Sequence, residues 1–212
     1  MKPSAVIFDL DGTVLDNEDE YGASFKKVLE SLGAKDVPDF PHVRGIGVKE
    51  NWPGLLEKYN LKTDKSPQEL AHKTQEEYLK MLDRVHLKEG CEEFIGDLKA
   101  EGIKTALATS NERWVVEEVF AKLKLDRLFD TATTAEEVSY RKPNPDLFLL
   151  TAGKLGVKTN ECLVIEDAAS GVEAAKRAGM KVWAIAWDER YKGELKGADR
   201  IVFGYNELIK NG

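Results

Sequence analysis

Cysteine and histidine are scarce in this chain, with two of the first and three of the second among 212 residues. Cys91 and Cys162 share no C-x-x-C spacing and belong to no Cys/His cluster. That excludes a zinc ribbon or finger and leaves both as reduced, partly buried side chains without a role. His42, His72 and His86 show no metal-ligand spacing either, and read as surface or packing residues. No run of about 18 apolar residues exists, which excludes a membrane-spanning helix. The opening "MKPSAVIFDLDG" meets its first acidic residue too early for a secretory signal, so a cytoplasmic protein with no membrane partner is expected. Positive charge is also short, 31 Lys and Arg against 38 Asp and Glu for a formal net charge of -7. A phosphate backbone demands a basic surface, so a nucleic-acid partner is not expected, although a local basic pocket stays open. Internal repeats and low-complexity tracts are absent.

What the chain does have is alternation. Short apolar or β-branched runs recur in "AVIFDLD", "KTALATSN", "DTATTAEEV", "ECLVIEDAA", "KVWAIAWDE" and "ADRIVF". Most are separated by segments with apolar residues at three- and four-residue spacing and a Gly near one end: "GCEEFIGDLKAEG", "RWVVEEVFAKLKL", "PDLFLLTAGKLG" and "GVEAAKRAG". The pattern predicts an α/β fold, a doubly wound, Rossmann-like parallel sheet built from residues 1–16 and 86–212. Residues 17–85 break the rhythm. They hold no convincing strand, only amphipathic stretches such as "YGASFKKVLESLG", "WPGLLEKYNL" and "SPQELAHKTQEEYLKMLDRV", joined by the Pro- and Gly-containing "DVPDFPHVRGIG". They read as a small helical cap domain inserted into the core, with hinges expected near Asp16 to Tyr21 and Val85 to Gly90. The last residues, "GYNELIKNG", read as a short closing helix.

In an open α/β sheet the ligand sits outside the carboxyl ends of the strands, so polar residues that directly follow strand runs carry the chemistry. Four such clusters occur: Asp9 with Asp11, Thr109 with Ser110 and Asn111, Arg141 with Lys142 and Pro143, and Glu166 with Asp167. Two positions apart on an extended chain, Asp9 and Asp11 face the same side. Gly12 then permits a tight backbone path beyond them.

In order and spacing, "DLDGT", "ATSN", "RKPNPD" and "IEDAASG" resemble the four motifs of haloacid dehalogenase superfamily phosphotransferases. The helical insertion is similar to the cap of the subgroup that contains phosphoglycolate phosphatase and β-phosphoglucomutase. The resemblance implies a Mg²⁺-dependent phosphatase that hydrolyses a small phosphorylated metabolite through an aspartyl phosphate on Asp9. It places Mg²⁺ on Asp9, the backbone carbonyl of Asp11, and Asp167, with Glu166 supporting the site. Asp11 would protonate the leaving alcohol and later deprotonate the attacking water. Lys142 would neutralise the phosphoryl oxygens, and Thr109 would bind one of them, helped by backbone N–H groups near Ser110 and Asn111. From the cap loop "HVRGIGVKENW", Arg44 is expected to reach an anionic substrate group, with Lys49 a further candidate.

Other readings stay open. A phosphomutase of the β-phosphoglucomutase type shares the core but must turn a bisphosphate round, and it carries a His near the cap entry where this chain has Tyr21. A haloacid dehalogenase needs neither a metal nor a second Asp, which Asp11 and Asp167 disfavour. A phospho-receiver domain places its phosphoacceptor after a later strand. A monomer or weak homodimer is expected.

Overall fold

The computed structural model describes residues 2–209. In chain order its strands are β1 (Ala5–Phe8), the two-residue β2 (Leu15–Asp16) and β3 (His86–Leu87), β4 (Lys104–Ala108), β5 (Thr131–Thr133), β6 (Cys162–Glu166), β7 (Lys181–Ile185) and β8 (Arg200–Val202). The α-helices are α1 (Glu18–Ser31), α2 (Val48–Lys58), α3 (Pro67–Leu79), α4 (Cys91–Ala100), α5 (Arg113–Leu123), α6 (Asp146–Leu155), α7 (Ala169–Arg177) and α8 (Asn206–Ile209). The closing-helix expectation is met in part by α8, and the end of "GYNELIKNG" lies outside the described residues.

All four residues of β1 are buried, as a strand covered on both faces of a parallel sheet must be. It pairs in parallel with β4 on one side and β6 on the other, within a six-stranded sheet of order β5-β4-β1-β6-β7-β8. The two-residue period of the strand sorts its side chains. Val6 and Phe8 enter an apolar layer with Phe94 and Ile95 of α4 and Val115 and Val119 of α5. Ala5 and Ile7 enter the opposite layer with Leu147 and Phe148 of α6 and Val172 and Ala175 of α7. The chain builds outward from β1 through β4 to β5, then returns to lay β6, β7 and β8 on the other side. The reversal leaves a crevice at the carboxyl ends of β1 and β6, where Asp9 and Asp167 follow their strands.

Residues 17–85 contain α1, α2 and α3 and no strand, as their periodicity predicts. Helix α3 starts on a capping box in which Ser66 and Glu69 satisfy each other's backbone N–H groups. Trp52 of α2 is buried with its indole N–H on Thr74 Oγ1 of α3 at 3.2 Å. Phe25, Trp52 and Leu70 belong to the same apolar cluster as Val6 and Phe8, together with Leu10, Val14 and Leu15. The segments entering and leaving these helices are paired: β2 and β3 form an antiparallel ladder, Leu15 opposite Leu87 and Asp16 opposite His86. Part of the expected hinge is thus a short sheet, and two residues are too few to show a period of two. Among the described residues no helix is long and apolar enough to cross a membrane.

Phe8 packs edge-on against Phe94 and Phe129 at centroid distances of 6.2 and 5.8 Å, directly before Asp9. Phe8→Ala should therefore lower stability by about 3–5 kcal/mol. Urea unfolding should show a lower midpoint with the same slope.

Candidate active site

Asp9 continues the ladder beyond β1 by donating its N–H to the Ile165 carbonyl at 3.0 Å. The chain then turns sharply at Gly12, whose φ is +72°. A side chain there would also have to occupy the Asp167 carboxylate, because a Cβ on Gly12 would lie 2.2 Å from Asp167 Oδ2. Glycine is required both for the left-handed backbone and for the close approach of the two carboxyl-bearing loops. Thr13 Oγ1 donates to Asp167 Oδ1 at 3.1 Å, and Trp187 Nε1 donates to Asp167 Oδ2 at 3.2 Å.

Lys142 projects beneath Asp9 with its side chain 2% exposed. Its ammonium donates to Asp9 Oδ1, to Glu166 Oε1 at 2.7 Å and to the Ala108 carbonyl at 3.1 Å. Three acceptors thus meet three N–H bonds. Burial pulls the Lys142 ammonium down, but the flanking Asp9 and Glu166 carboxylates outweigh it and hold its pKa above the ordinary value. The other Glu166 oxygen accepts the backbone N–H groups of Asp167 and Ala168, both at 2.9 Å. Glu166 has this space only because residue 171 is glycine, where a Cβ would lie 1.7 Å from Glu166 Oε1.

Asp9, Glu166 and Asp167 each offer a carboxylate oxygen within 4.8 Å of the others. Burial raises Asp9 well above the usual carboxylate range against the pull of Lys142. Burial, then the charges of Glu166 and Glu18, push Asp167 up to about 8. Clustered carboxylates facing one ammonium leave negative charge uncompensated, and an all-oxygen donor set suits a hard divalent cation such as Mg²⁺. Since Glu166 is occupied by Lys142 and two backbone N–H groups, Asp9 and Asp167 are the carboxylates with most capacity left for a cation.

Asp11 is held differently. Asn17 Nδ2 donates to one carboxylate oxygen and Asn111 Nδ2 to the other, both at 2.6 Å. Tyr21 of α1 donates its hydroxyl to Asn111 Oδ1 at 3.0 Å, and Asn17 Nδ2 also reaches the Tyr78 hydroxyl of α3 at 2.8 Å. The two tyrosine rings stack at 4.1 Å. Burial raises Asp11 to about 7, opposed by the Asn17 amide, reinforced by the Glu18 charge and opposed again by Asn111. A carboxyl poised near neutrality can both give and take a proton.

Thr109 and Asn111 are buried here, and Ser110 lines the same cleft as Asp9, Asp11 and Asp167. The Asn111 backbone N–H donates to Thr109 Oγ1 at 3.1 Å. Its side chain reaches Asp11, which spacing along the chain does not reveal.

The cleft opens to solvent, and residues from the inserted segment form its far wall. Arg44 lies in that wall, with Nε 3.1 Å from Glu18 Oε2 and its guanidinium 3.8 Å from the Trp187 ring centroid. Lys49 is exposed and does not line the cleft. His42 is packed, stacked on Phe25 at 4.7 Å, yet it also faces the cleft with Nε2 3.4 Å from Glu18. Sequence reasoning missed Glu18. An acid in the first turn of a helix already has a reason to be there, so its position carries no separate signal.

Residues 6–185 match the family model described as haloacid dehalogenase-like hydrolase. A phosphorylated carbohydrates phosphatase of Thermotoga maritima is 34% identical over 180 residues, 84% of this chain and 82% of the relative. A fructose-1-phosphate phosphatase of Escherichia coli is 32% identical over 182 residues, 84% of this chain and 93% of the relative. The crystal structure of β-phosphoglucomutase from Clostridium difficile superimposes with a TM-score of 0.84 at 27% identity, covering 98% of this chain and 93% of that one.

The site makes metal-free stability depend on pH. Asp11 at about 7 and Asp167 at about 8 both lie above the ordinary 3.8, so the folded protein holds protons that the unfolded chain has released. Their stabilisation is full below the ordinary value and is lost as pH rises through about 7 to about 8. Binding a cation at Asp167 displaces the proton there and is favoured by high pH. Added Mg²⁺ should raise the melting midpoint of chelator-treated protein more at about pH 8 than at about pH 6, by about 2–4 °C per kcal/mol. Scanning fluorimetry at both pH values checks this; equal shifts would contradict it.

Proposed function

Because the chain belongs to the haloacid dehalogenase-like hydrolase family, we propose that it is a phosphatase of small phosphorylated carbohydrates in which Asp9 is the nucleophile and Asp11 the general acid and base. The observation that carries this reading is the unequal treatment of two carboxylates in one cleft. Asp9 lies against the Lys142 ammonium, whereas Asp11 is clamped by two neutral amides and has a pKa of about 7. The names of the relatives from Thermotoga maritima and Escherichia coli support the substrate class.

In this reading Asp9 attacks the phosphorus, forming the aspartyl oxygen–phosphorus bond as the bond to the leaving oxygen breaks. Protonated Asp11 gives its proton to that oxygen, and the neutral alcohol departs. The Asp11 carboxylate then takes a proton from water as the water oxygen attacks phosphorus, which frees Asp9 and inorganic phosphate. Lys142, fixed by Glu166, neutralises charge beside the nucleophile throughout. Mg²⁺, held by Asp9, Asp167 and the Asp11 backbone carbonyl, would cancel charge between nucleophile and phosphate and keep Asp9 ionised. Ser110 borders the space for the phosphoryl group, and Thr109 is buried directly before it. The phosphomutase alternative has support in the likeness to β-phosphoglucomutase, and glucose 1-phosphate with its bisphosphate tests it directly.

Asp9→Asn should reduce Mg²⁺-dependent hydrolysis of p-nitrophenyl phosphate by at least about a thousandfold with an unchanged circular dichroism spectrum. Full activity in that variant would remove Asp9 from its role. Asp11→Asn should slow turnover by about 10²–10⁴-fold, and phosphate should accumulate on Asp9. Intact-mass measurement after quenching reads that species.

A further inference from the structure

We infer that Glu18, His42 and Arg44 form a subsite that reads hydroxyl groups on the leaving group and rejects a second phosphate; this rests on the phosphatase reading above. All three belong to the inserted helical segment, Glu18 opening α1 and the other two in the loop before α2, and all line the cleft that holds Asp9 and Asp11. Their side chains are 7%, 6% and 19% exposed, so the cluster is a built feature of the wall and not a solvated surface pair. Glu18 Oε2 lies 3.1 Å from Arg44 Nε, within ion-pair distance, and 3.4 Å from His42 Nε2.

Three buried donor or acceptor atoms of this cluster make no hydrogen bond within the protein, Glu18 Oε2, Arg44 Nη1 and His42 Nδ1. Buried polar groups are normally paired, so these three are placed for a ligand. Arg44 is not free to swing toward one, since its guanidinium lies over Trp187 at 3.8 Å and beside Tyr191 at 5.1 Å, both on the core side. The ligand must therefore come to a fixed array of a carboxylate, an imidazole and one guanidinium edge.

The chemistry of that array selects hydroxyls. A hydroxyl donates to Glu18 and accepts from Arg44 Nη1, and it suits His42 Nδ1 whether that atom carries a proton or not. A phosphate dianion only accepts. It would also enter beside Glu18 in a cleft already lined by Asp9, Asp11 and Asp167. Among the described residues lining that cleft, Arg44 is the one Lys or Arg, and Glu18 already compensates it. One phosphate is accommodated at the Asp9 end, where Lys142 and the acidic cluster meet; a second finds no unspent charge at the far wall.

Matched substrate pairs test this with the full chain and Mg²⁺: glucose 1-phosphate against glucose 1,6-bisphosphate, and fructose 1-phosphate against fructose 1,6-bisphosphate. The wild-type protein should favour at least one monophosphate over its bisphosphate by at least about tenfold in kcat/KM. In Glu18→Gln that ratio should shrink by at least about fivefold, through opposite changes in the two KM values. A wild-type preference for both bisphosphates, equal use within each pair, or an unchanged ratio in Glu18→Gln overturns the proposal. The wild-type ratio decides without the variant should Glu18→Gln fail to fold. Hydrolysis of p-nitrophenyl phosphate with neither sugar pair turned over also overturns the subsite. Absence of p-nitrophenyl phosphate hydrolysis by the wild type overturns the phosphatase reading on which it rests.

Discussion

The buried ammonium of Lys142 organises this molecule. Its side chain is 2% exposed and touches Asp9, Glu166 and the Ala108 carbonyl, so one cation ties together the carboxyl ends of β1, β4 and β6. A buried charge is tolerated only when its partners are in place, and loss of one partner from such a pair costs about 3–5 kcal/mol. Glu166 therefore has to be held, which two backbone N–H groups and the missing side chain of Gly171 accomplish. Asp9 is delivered to the same ammonium by the pairing of β1 with β6. The sheet is in this sense the jig for one ion cluster.

Around that cluster the two acids of the first motif acquire different characters from different neighbours. Asp9 shares its ammonium with Glu166, and its remaining surroundings are acidic. The Asp11 carboxylate accepts from two side-chain amides, themselves bonded to Tyr21 and Tyr78 of the inserted helices. The proposed acid and base is thus braced by the same inserted segment that supplies the Glu18, His42 and Arg44 wall. The position of the inserted helices and the orientation of Asp11 are linked through hydrogen bonds, and the β2–β3 ladder fixes where those helices leave the core.

Much of this was legible in the chain. The six core strands follow from short apolar or β-branched runs, because strands buried on both faces, as β1 and β6 are, have few other compositions open to them. Asp9, Asp11, Thr109, Ser110, Asn111, Lys142 and Asp167 follow from the rule that ligands meet the carboxyl ends of parallel strands, and the fold brings all of them to one end of the sheet. The inserted segment was legible as helical from its periodicity. What went unread were Glu18, the cleft-facing role of His42, and the side-chain use of Asn111. Each has a sufficient local explanation, as a first-turn acid, a packed ring or a turn residue, and local explanations conceal long-range ones.

The sequence by itself determined the class of fold, the order of its elements and the identity of the groups gathered at the strand ends, because hydrophobic period and strand–turn spacing act over a few residues. Only the tertiary structure decided which carboxylate faces the ammonium and which faces the amides. It also paired Arg44 with Glu18 and packed its guanidinium on Trp187. The physical reason is range. Charge compensation and burial depend on partners as far apart in the chain as Asp9 and Lys142, or Arg44 and Trp187, and those distances exist only after the sheet has closed beneath the inserted helices.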